Sequence, residues 1–398
     1  MEKQKSRKIY KVVMIVLLTA FVTFVLTSIF MYKYLNENST PGYSNYNELT
    51  TKLKSYRKIL DKYYLGNIDD SKLEEGAIKG YIDGVGDKYT EYISKEEMED
   101  YMNDTLGNYT GIGIYMVKNT QYDKVQILAT IKDGPAEKAG LQSGDIITKV
   151  DGEEYSADDM TKMANHIKAE AGTKIQLEVL RDGKTLNFDL VTANVKINQV
   201  ESKVLSNNIG YIEFSSFDES TAEDFKSEFE KLQAQRIKSL IIDLRNNGGG
   251  LVDSALQIAD YMTDKGSTLL YEVDKNGNET VKKAESDPII NMPIIILTNG
   301  NTASASEILA GALRDLGKAK TVGTITYGKG VIQQIISLSD GSGLKVTIRE
   351  YQTPNKTKIN GVGIAPDYEV KLPEGLENKF NIDEDKDTQL QKAIELLK

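Results

Sequence analysis

The sequence predicts a membrane-anchored, multidomain α/β protein, and three observations support this prediction. Residues 12–32 carry no charge, residues 108–194 contain short β-type runs separated by glycine-rich turns, and residues 195–375 alternate strands with helices. A chain of 398 residues is too long for one ordinary hydrophobic core. We therefore expect separate domains behind an N-terminal anchor.

The uncharged stretch "VVMIVLLTAFVTFVLTSIFMY" predicts one transmembrane helix at 12–32, because about 20 apolar residues cross a bilayer. A cleaved signal peptide is the alternative, but it would have a shorter apolar region and a small-residue cleavage site. Basic residues crowd the tail at 1–11, and the positive-inside rule keeps that tail in the cytoplasm. The sequence thus predicts a single-pass protein of the cell membrane whose remaining domains lie outside the cytoplasm.

Composition excludes several classes of site and partner. The chain has no cysteine and one histidine, His166, which excludes thiolate and poly-histidine metal sites. A net charge of -10 argues against nucleic acid as a partner, since phosphate binding needs clustered basic surface. We expect no metal site and no cofactor.

Helical periodicity follows a polar tether at 33–48 and returns at the C-terminus. Residues 49–107 begin with "LTTKLKSYRKILDKYY" and predict a helical N-terminal or dimerisation segment, and residues 376–398 end in a second helical segment. Ser55 and Lys58 match the S-x-x-K motif of penicillin-binding acyl enzymes, but the supporting S-D-N and K-T-G motifs are absent. We interpret this match as an exposed helix face.

The stretch "GNTASASE" (residues 300–307) lies between the apolar run "PIIIL" and the helical pattern "ILAGALRDL". A turn there places a serine at a helix N-terminus, where free amides favour developing negative charge. A serine in this position can act as a nucleophile if a base is available. Glu307 is interpreted as support for the first helical turn.

A lysine is the obvious base, because cysteine is absent and His166 lies in a helix of the 108–194 module. The pKa of such a lysine must fall from about 10.4 toward 7 or 8, which partial burial achieves. Lys329 stands between two glycines in a segment otherwise free of charge from Val322 to Leu338. The alternative is a lysine that extends from a strand end into solvent.

Residues 108–194 resemble a PDZ domain through "YTGIGIYM" and "GPAEKAGLQSGDIITKVDG". Backbone amides in such a loop capture a terminal carboxylate, and the next strand edge pairs with an extended peptide. The amides are those of Gly111, Ile112, Gly113 and Ile114. Met160, Met163 and Ile167 would line the groove for an apolar last side chain, or else fill the core of the domain.

Four stretches of residues 195–375 resemble the C-terminal processing peptidases, the tail-specific S41 serine proteases. They are "LIIDLRNNGGGL", "NTASASEILAGALRD", "TYGKGVIQ" and "YQTPNKTKINGVGIAPD". Thr302 and Lys356 depart from the usual pattern at positions where the family often has serine and glycine. The resemblance implies a crotonase/ClpP-like core and a serine endopeptidase.

The same resemblance implies the roles of individual residues. Ser304 is then the nucleophile, Lys329 the general base and Gln333 the residue that orients the lysine. The oxyanion hole is formed by Gly249 or Gly250 with Ala305, and glycine suits this role because it lets a backbone N–H approach unhindered.

The resemblance also implies partners. We expect a homodimer that cleaves proteins with accessible apolar C-termini through an acyl-enzyme, with its PDZ domain gating the active site. The abundance of Lys, Asn and Ile separately indicates a bacterial source. Asp243 and Arg245 are interpreted as a structural pair that holds the glycine loop. The rival hypothesis is a catalytically inert PDZ scaffold at the membrane.

Overall fold

The computed structural model describes residues 46–106, 108–119, 121–196, 199–374, 376 and 382–398. The basic tail, the predicted span at 12–32 and nearly all of the tether lie outside the described residues. Within the described ranges, no helix has the length and apolar character needed to cross a membrane. The chain divides into two compact units, residues 1–76 and 77–398.

Helix α1 (Tyr46–Tyr63) dominates the described part of the first unit, and helix α2 (Asp70–Asp83) continues into the second unit. The large apolar side chains of α1 are exposed, among them Leu53 to 46% and Tyr56 to 62%. The Ser55 hydroxyl donates to the Thr51 carbonyl oxygen one turn earlier, at 2.9 Å. The S-x-x-K match is therefore an exposed helix face, as interpreted from the sequence.

The second unit begins with a strand that the sequence analysis did not predict. Strand β1 (Glu91–Ile93) precedes helix α3 (Lys95–Leu106), so the predicted helical segment at 49–107 is not wholly helical. The sequence does not reveal this strand, because β1 has only 3 residues, too few to show the alternation of apolar and polar residues that marks a strand. This strand joins a sheet of the second half of the chain, described below.

Residues 108–196 form a β-rich module, in agreement with the predicted PDZ domain. A sheet of strands ordered β3-β4-β5-β7-β8, with β6 paired to β5, is antiparallel throughout, and the first and last strands of the module, β2 and β9, pair with each other. The strands are β2 (Asn108–Gly111), β3 (Ile114–Asn119), β4 (Lys124–Thr130), β5 (Ile146–Val150), β6 (Glu153–Glu154), β7 (Lys174–Arg181), β8 (Lys184–Val191) and β9 (Ala193–Lys196). Helices α4 (Pro135–Ala139) and α5 (Met160–Ile167) complete the module.

The remaining residues form an α/β core around a six-stranded sheet ordered β10-β11-β12-β15-β16-β19. Only β10 runs antiparallel to its neighbour, and the other pairs are parallel. These strands are β10 (Val200–Leu205), β11 (Ile209–Phe214), β12 (Ser239–Asp243), β15 (Ile294–Thr298), β16 (Lys320–Gly323) and β19 (Tyr368–Glu369). The apolar runs "LIID" and "IIIL" are continuous because both faces of these central strands are covered.

Helices cover the two faces of this sheet. One face packs on α6 (Thr221–Ala234), α7 (Val252–Asp260) and α8 (Ala305–Asp315), and the other packs on α9 (Thr388–Leu396). Neighbouring side chains of β12 point to opposite faces of the sheet. Ile242 belongs to the hydrophobic cluster that includes α6, α7 and α8, and Ile241 belongs to the cluster that includes α9. The predicted C-terminal helical segment thus supplies one layer of the core.

A second, antiparallel sheet lies beside the first in the core. Its strands are β13 (Thr268–Asp274), β14 (Glu279–Lys283), β17 (Val331–Ser337) and β18 (Gly343–Gln352), together with β1. Strand β18 is central, because it pairs with β1, β13 and β17. The residues just before β1 are thereby held next to the segment that carries Lys329.

Candidate active site

The predicted site residues lie in three loops that follow three adjacent parallel strands. The glycine run at 248–250 follows β12, Ser304 follows β15, and Lys329 follows β16. The strands are neighbours in the order β12-β15-β16, so their carboxyl ends meet at one edge of the sheet. Ligands of open α/β sheets bind outside the carboxyl ends of the strands. The fold therefore brings together residues that are far apart in sequence.

Ser304 occupies a sharp strand-to-helix turn, as its position in "GNTASASE" predicts. It is the N-cap of α8, with φ 57 and ψ -121, and its exposure is 9%. A positive φ is costly for a residue with a Cβ atom and persists only where surrounding contacts impose it. The turn places the serine hydroxyl beside the positive end of the α8 dipole.

The Glu307 carboxylate provides much of that constraint. It is fully buried in α8, and its Oε2 accepts hydrogen bonds from the backbone N–H groups of Ser304 and Lys329, each at 2.9 Å. Its Oε1 accepts from the Gly328 N–H at 2.8 Å and from the Thr326 hydroxyl at 2.5 Å. One side chain thus joins the turn that carries Ser304 to the segment that carries Lys329, which is more than the helix support expected from the sequence.

Two further residues join these loops. Asn247 is fully buried, and its backbone carbonyl oxygen accepts from the Ala303 N–H at 3.0 Å and the Ser306 hydroxyl at 3.1 Å. The Tyr351 hydroxyl, on β18, lies 3.0 Å from the Ser304 carbonyl oxygen and 2.5 Å from the Lys329 carbonyl oxygen. These contacts fix the three loops relative to one another.

The glycine loop lies directly against Ser304. A Cβ atom on Gly249 would come within 2.7 Å of the Ser304 Cβ, and one on Gly250 would overlap the Phe217 carbonyl oxygen at 2.0 Å. Both residues have positive φ, so the close approach requires glycine. The Gly249 N–H already donates to Asn247 Oδ1 at 2.8 Å. Of the two predicted oxyanion donors in this loop, Gly250 is therefore the better candidate, together with Ala305 at the first turn of α8.

Lys329 is half-buried, and burial lowers the pKa of its ammonium group, as expected from the sequence. The neighbouring Lys345 ammonium lowers that pKa further. Lys329 Nζ lies 4.9 Å from the centroid of the Tyr89 ring. Within the described part of the chain, no hydrogen bond joins this Nζ to Ser304 Oγ.

No hydrogen bond joins Gln333 to Lys329 among the described residues. Gln333 lies on β17 opposite Thr347, and its Nε2 lies 3.4 Å from Thr347 Oγ1. The register of β17 on β18 shifts between Ile332 and Gln333, an irregularity that the sequence does not reveal. The orienting role implied for Gln333 remains a prediction.

The predicted peptide groove of the PDZ domain is only partly open. Ile114 and Met160 are half-buried, whereas Ile112, Met163 and Ile167 lie inside the domain core at 1%, 0% and 4% exposure. The buried side chains of Met163 and Ile167 agree with the core alternative given for this helix face, and the peptide-binding roles of all these residues stay predictions. Gly113, next to Ile112, has a φ of 76, in the left-handed region that favours glycine.

His166 is engaged inside the PDZ domain. Its Nδ1 lies 2.7 Å from the Tyr155 hydroxyl oxygen, and its Nε2 lies 3.1 Å from Asp151 Oδ2. Both ring nitrogens therefore have partners within the domain. This arrangement agrees with the exclusion of His166 from the catalytic residues.

Asp243 and Arg245 form an ion pair, as interpreted from the sequence. Arg245 Nη2 lies 2.5 Å from Asp243 Oδ2 and 2.8 Å from Asp387 Oδ2. Asp387 is the N-cap of α9, where its Oδ1 accepts from the Leu390 N–H at 2.9 Å. The residue that begins the glycine loop is thus bonded to the C-terminal helix, a contact that no local sequence signal indicates.

Comparison with known proteins assigns the same modules. The family model for peptidase family S41 matches residues 208–370, the PDZ domain model matches 110–192, and the model for the N-terminal domain of the activating protease CtpB matches 18–97. The carboxy-terminal processing protease CtpA of Bacillus subtilis is 33% identical over 373 residues, which cover 92% of this chain and 78% of that protein.

Two further matches agree with these modules. The photosystem II D1 C-terminal processing protease is 30% identical, with a TM-score of 0.50 over 81% of this chain and 89% of that chain. The "Probable CtpA-like serine protease" of Staphylococcus haemolyticus is 34% identical over 325 residues, covering 81% of this chain, and the match spans 65% of the length of that relative.

The fold and these matches define a serine peptidase with a PDZ domain. The chain belongs to the S41 family of C-terminal processing peptidases.

Replacing Glu307 by glutamine tests the carboxylate that joins the two loops. A glutamine amide cannot accept on both sides, so two of the four donors lose their acceptor. We expect the free energy of unfolding to fall by about 1–3 kcal/mol, measured by urea denaturation. Glu230→Gln on the exposed side of α6 is the matched control and should change it little. Equal stability of Glu307→Gln and the unaltered protein would contradict this account.

Proposed function

We propose that this protein is a membrane-anchored endopeptidase that captures the C-terminal tails of proteins and cleaves them with a Ser304/Lys329 dyad. The observation that carries the proposal is the meeting of the glycine loop, Ser304 and Lys329 at the carboxyl ends of three adjacent parallel strands. The shared contacts of Glu307 and Tyr351 support it. A lysine whose pKa is lowered by burial suits the role of base.

The proposed reaction has two steps. The neutral Lys329 amine takes the proton of Ser304 Oγ as this oxygen attacks the peptide carbonyl, and the amides of Gly250 and Ala305 stabilise the oxyanion. The C–N bond then breaks, the Lys329 ammonium returns its proton to the leaving amine, and an ester remains on Ser304. Water, deprotonated by the same amine, hydrolyses this ester and frees the serine.

The PDZ domain is proposed to recognise the substrate through its last residue. The amides near Gly111 and Gly113 would receive the terminal carboxylate, and the edge of β3 would pair with the tail. Ile114 and Met160 are half-buried beside this loop and offer apolar contact. Deeper insertion of an apolar side chain requires Met163 to move, since it is fully covered. Such a movement is a route by which a bound tail could gate the active site.

We further propose a single-pass anchor at residues 12–32 and a homodimer. The uncharged N-terminal stretch supports the anchor. The exposed apolar side of α1 supports self-association, because large apolar side chains in a row are seldom left in water. The full-length protein should stay with the membrane fraction after a high-salt wash, and residues 34–398 should sediment as a dimer. Release into the supernatant, or a monomer at all concentrations, would contradict the respective proposal.

The central prediction concerns turnover of a folded substrate protein with an apolar C-terminal tail, followed by mass spectrometry. Ser304→Ala and Lys329→Ala should each lower the rate about a thousandfold or more, because the two residues act as one unit. Ser55→Ala and His166→Ala should retain activity, since neither residue belongs to the dyad.

Other outcomes of this experiment decide between the alternatives. Tail binding without cleavage by the unaltered protein would favour the inert PDZ scaffold. Full activity of Lys329→Ala would disprove the proposed base. Labelling of Ser55 by a β-lactam would favour the penicillin-binding alternative.

The pH dependence of kcat/KM tests the electrostatic setting of Lys329. Activity should rise as pH passes the pKa of Lys329, because only the neutral amine accepts the serine proton. Replacing Lys345 by methionine removes a cation that lowers this pKa and leaves Glu91, which raises it. The rise should therefore move to higher pH.

Lys356→Met is the matched control, because Lys356 has the same kinds of partner as Lys345. Its Nζ pairs with Glu279 at 2.8 Å and lies over the Tyr271 ring, while Lys345 pairs with Glu91 and lies over the Tyr101 ring. This control should leave the pH profile unchanged. A shift of the Lys345→Met profile to lower pH would contradict the assignment of Lys329 as the titrating base.

A further inference from the structure

The segment before β1 places an aromatic ring against Lys329. Lys329 Nζ lies 4.9 Å from the Tyr89 ring centroid, within the range of a cation–π contact. The Tyr89 hydroxyl oxygen is buried, and the Lys88 side chain lies beside it.

The backbone around Tyr89 is held firmly in place. Asp87 accepts hydrogen bonds from the Tyr89 N–H at 3.3 Å and from the Thr90 hydroxyl at 2.6 Å. The Thr90 hydroxyl oxygen in turn accepts from the Thr347 N–H of β18 at 3.2 Å. The next residues form β1 and pair with β18. The ring is therefore fixed to the same sheet that carries Gln333, whose side chain contacts Thr347.

Several charged groups surround the lysine. Lys345 on β18 and Lys88 beside Tyr89 lower the pKa of Lys329, and Glu91 on β1 and Glu307 on α8 raise it. Burial has the largest influence and also lowers it. The Lys88 ammonium lies 4.7 Å from the Tyr89 centroid and 5.1 Å from that of Tyr327. The Tyr89 ring thus contacts two ammonium groups.

We propose that Tyr89 is a positioning residue that holds the protonated Lys329 away from Ser304 in the resting enzyme. This inference rests on the proposed role of Lys329 as base. An aromatic face attracts the ammonium ion and not the neutral amine. Loss of the proton therefore releases the side chain toward Ser304, and regaining the proton returns it to the ring. The ring couples the charge of the base to its position.

The resting position can be observed without any substrate. Reductive methylation with ¹³C-formaldehyde labels the lysine amines, and Lys329→Arg assigns the Lys329 signal in the NMR spectrum. A methylammonium group above an aromatic face should show an upfield ring-current shift. This shift should disappear in Tyr89→Leu and persist in Tyr271→Leu, which removes the ring beneath Lys356. An unshifted Lys329 signal in the otherwise unaltered protein would overturn the proposal.

The pH profile separates the ring from its hydroxyl. Because the ring stabilises the ammonium form, Tyr89→Leu should move the rise of kcat/KM to lower pH by about half a unit or more. Tyr89→Phe keeps the ring and should leave the profile in place. An unmoved Tyr89→Leu profile, or equal shifts in both variants, would overturn the proposal. If Tyr89→Leu fails to fold, the spectrum of the protein with native Tyr89 decides alone.

The two readouts also distinguish this inference from the proposed function. A ring-shifted Lys329 signal in the protein with native Lys329, together with full activity of the Lys329→Ala variant, would disprove the dyad and leave the contact intact. Loss of activity in Lys329→Ala, together with an unshifted signal, would retain the dyad and reject the role of Tyr89.

Discussion

The buried carboxylate of Glu307 is the interaction on which the rest of the site depends. A carboxylate buried without partners would be costly, but this one accepts four hydrogen bonds. Its donors come from the turn at Ser304 and from the segment 326–329, so satisfying the charge requires both segments to be in place. Ser304 is thereby kept in a backbone conformation that an isolated turn would avoid.

The parallel sheet determines which loops can take part. Strands β12, β15 and β16 are adjacent, and each is followed by a loop at the same edge. Their central positions are buried on both faces, by α6 to α8 and by α9. The C-terminal helix has a second connection to the site through Asp387, which pairs with Arg245 at the start of the glycine loop. Layers far from Ser304 thus help to fix its surroundings.

The sequence predicted the features that depend on local patterns. The turn at Ser304, the glycine-flanked Lys329, the PDZ module and the alternation of strands and helices all follow from residues close together in the chain. Contacts over long sequence separations were not predictable: Glu307 with Lys329, Arg245 with Asp387 and Tyr89 with Lys329 depend on how distant segments pack. Met163 shows a different limit, because helical spacing marks an apolar face without saying whether a groove or a core covers it.

The opposing influences on Lys329 bear on how such a site can be latent. Burial and two nearby ammonium groups favour the neutral amine, whereas Glu91, Glu307 and the face of Tyr89 favour the ammonium ion. Because these influences oppose one another, a modest additional contact changes the population of the neutral amine appreciably, since about 1.4 kcal/mol alters an equilibrium tenfold. Under the proposed mechanism, activation of Lys329 then requires only a local change around Tyr89, with the framework of Glu307 and Asn247 left in place.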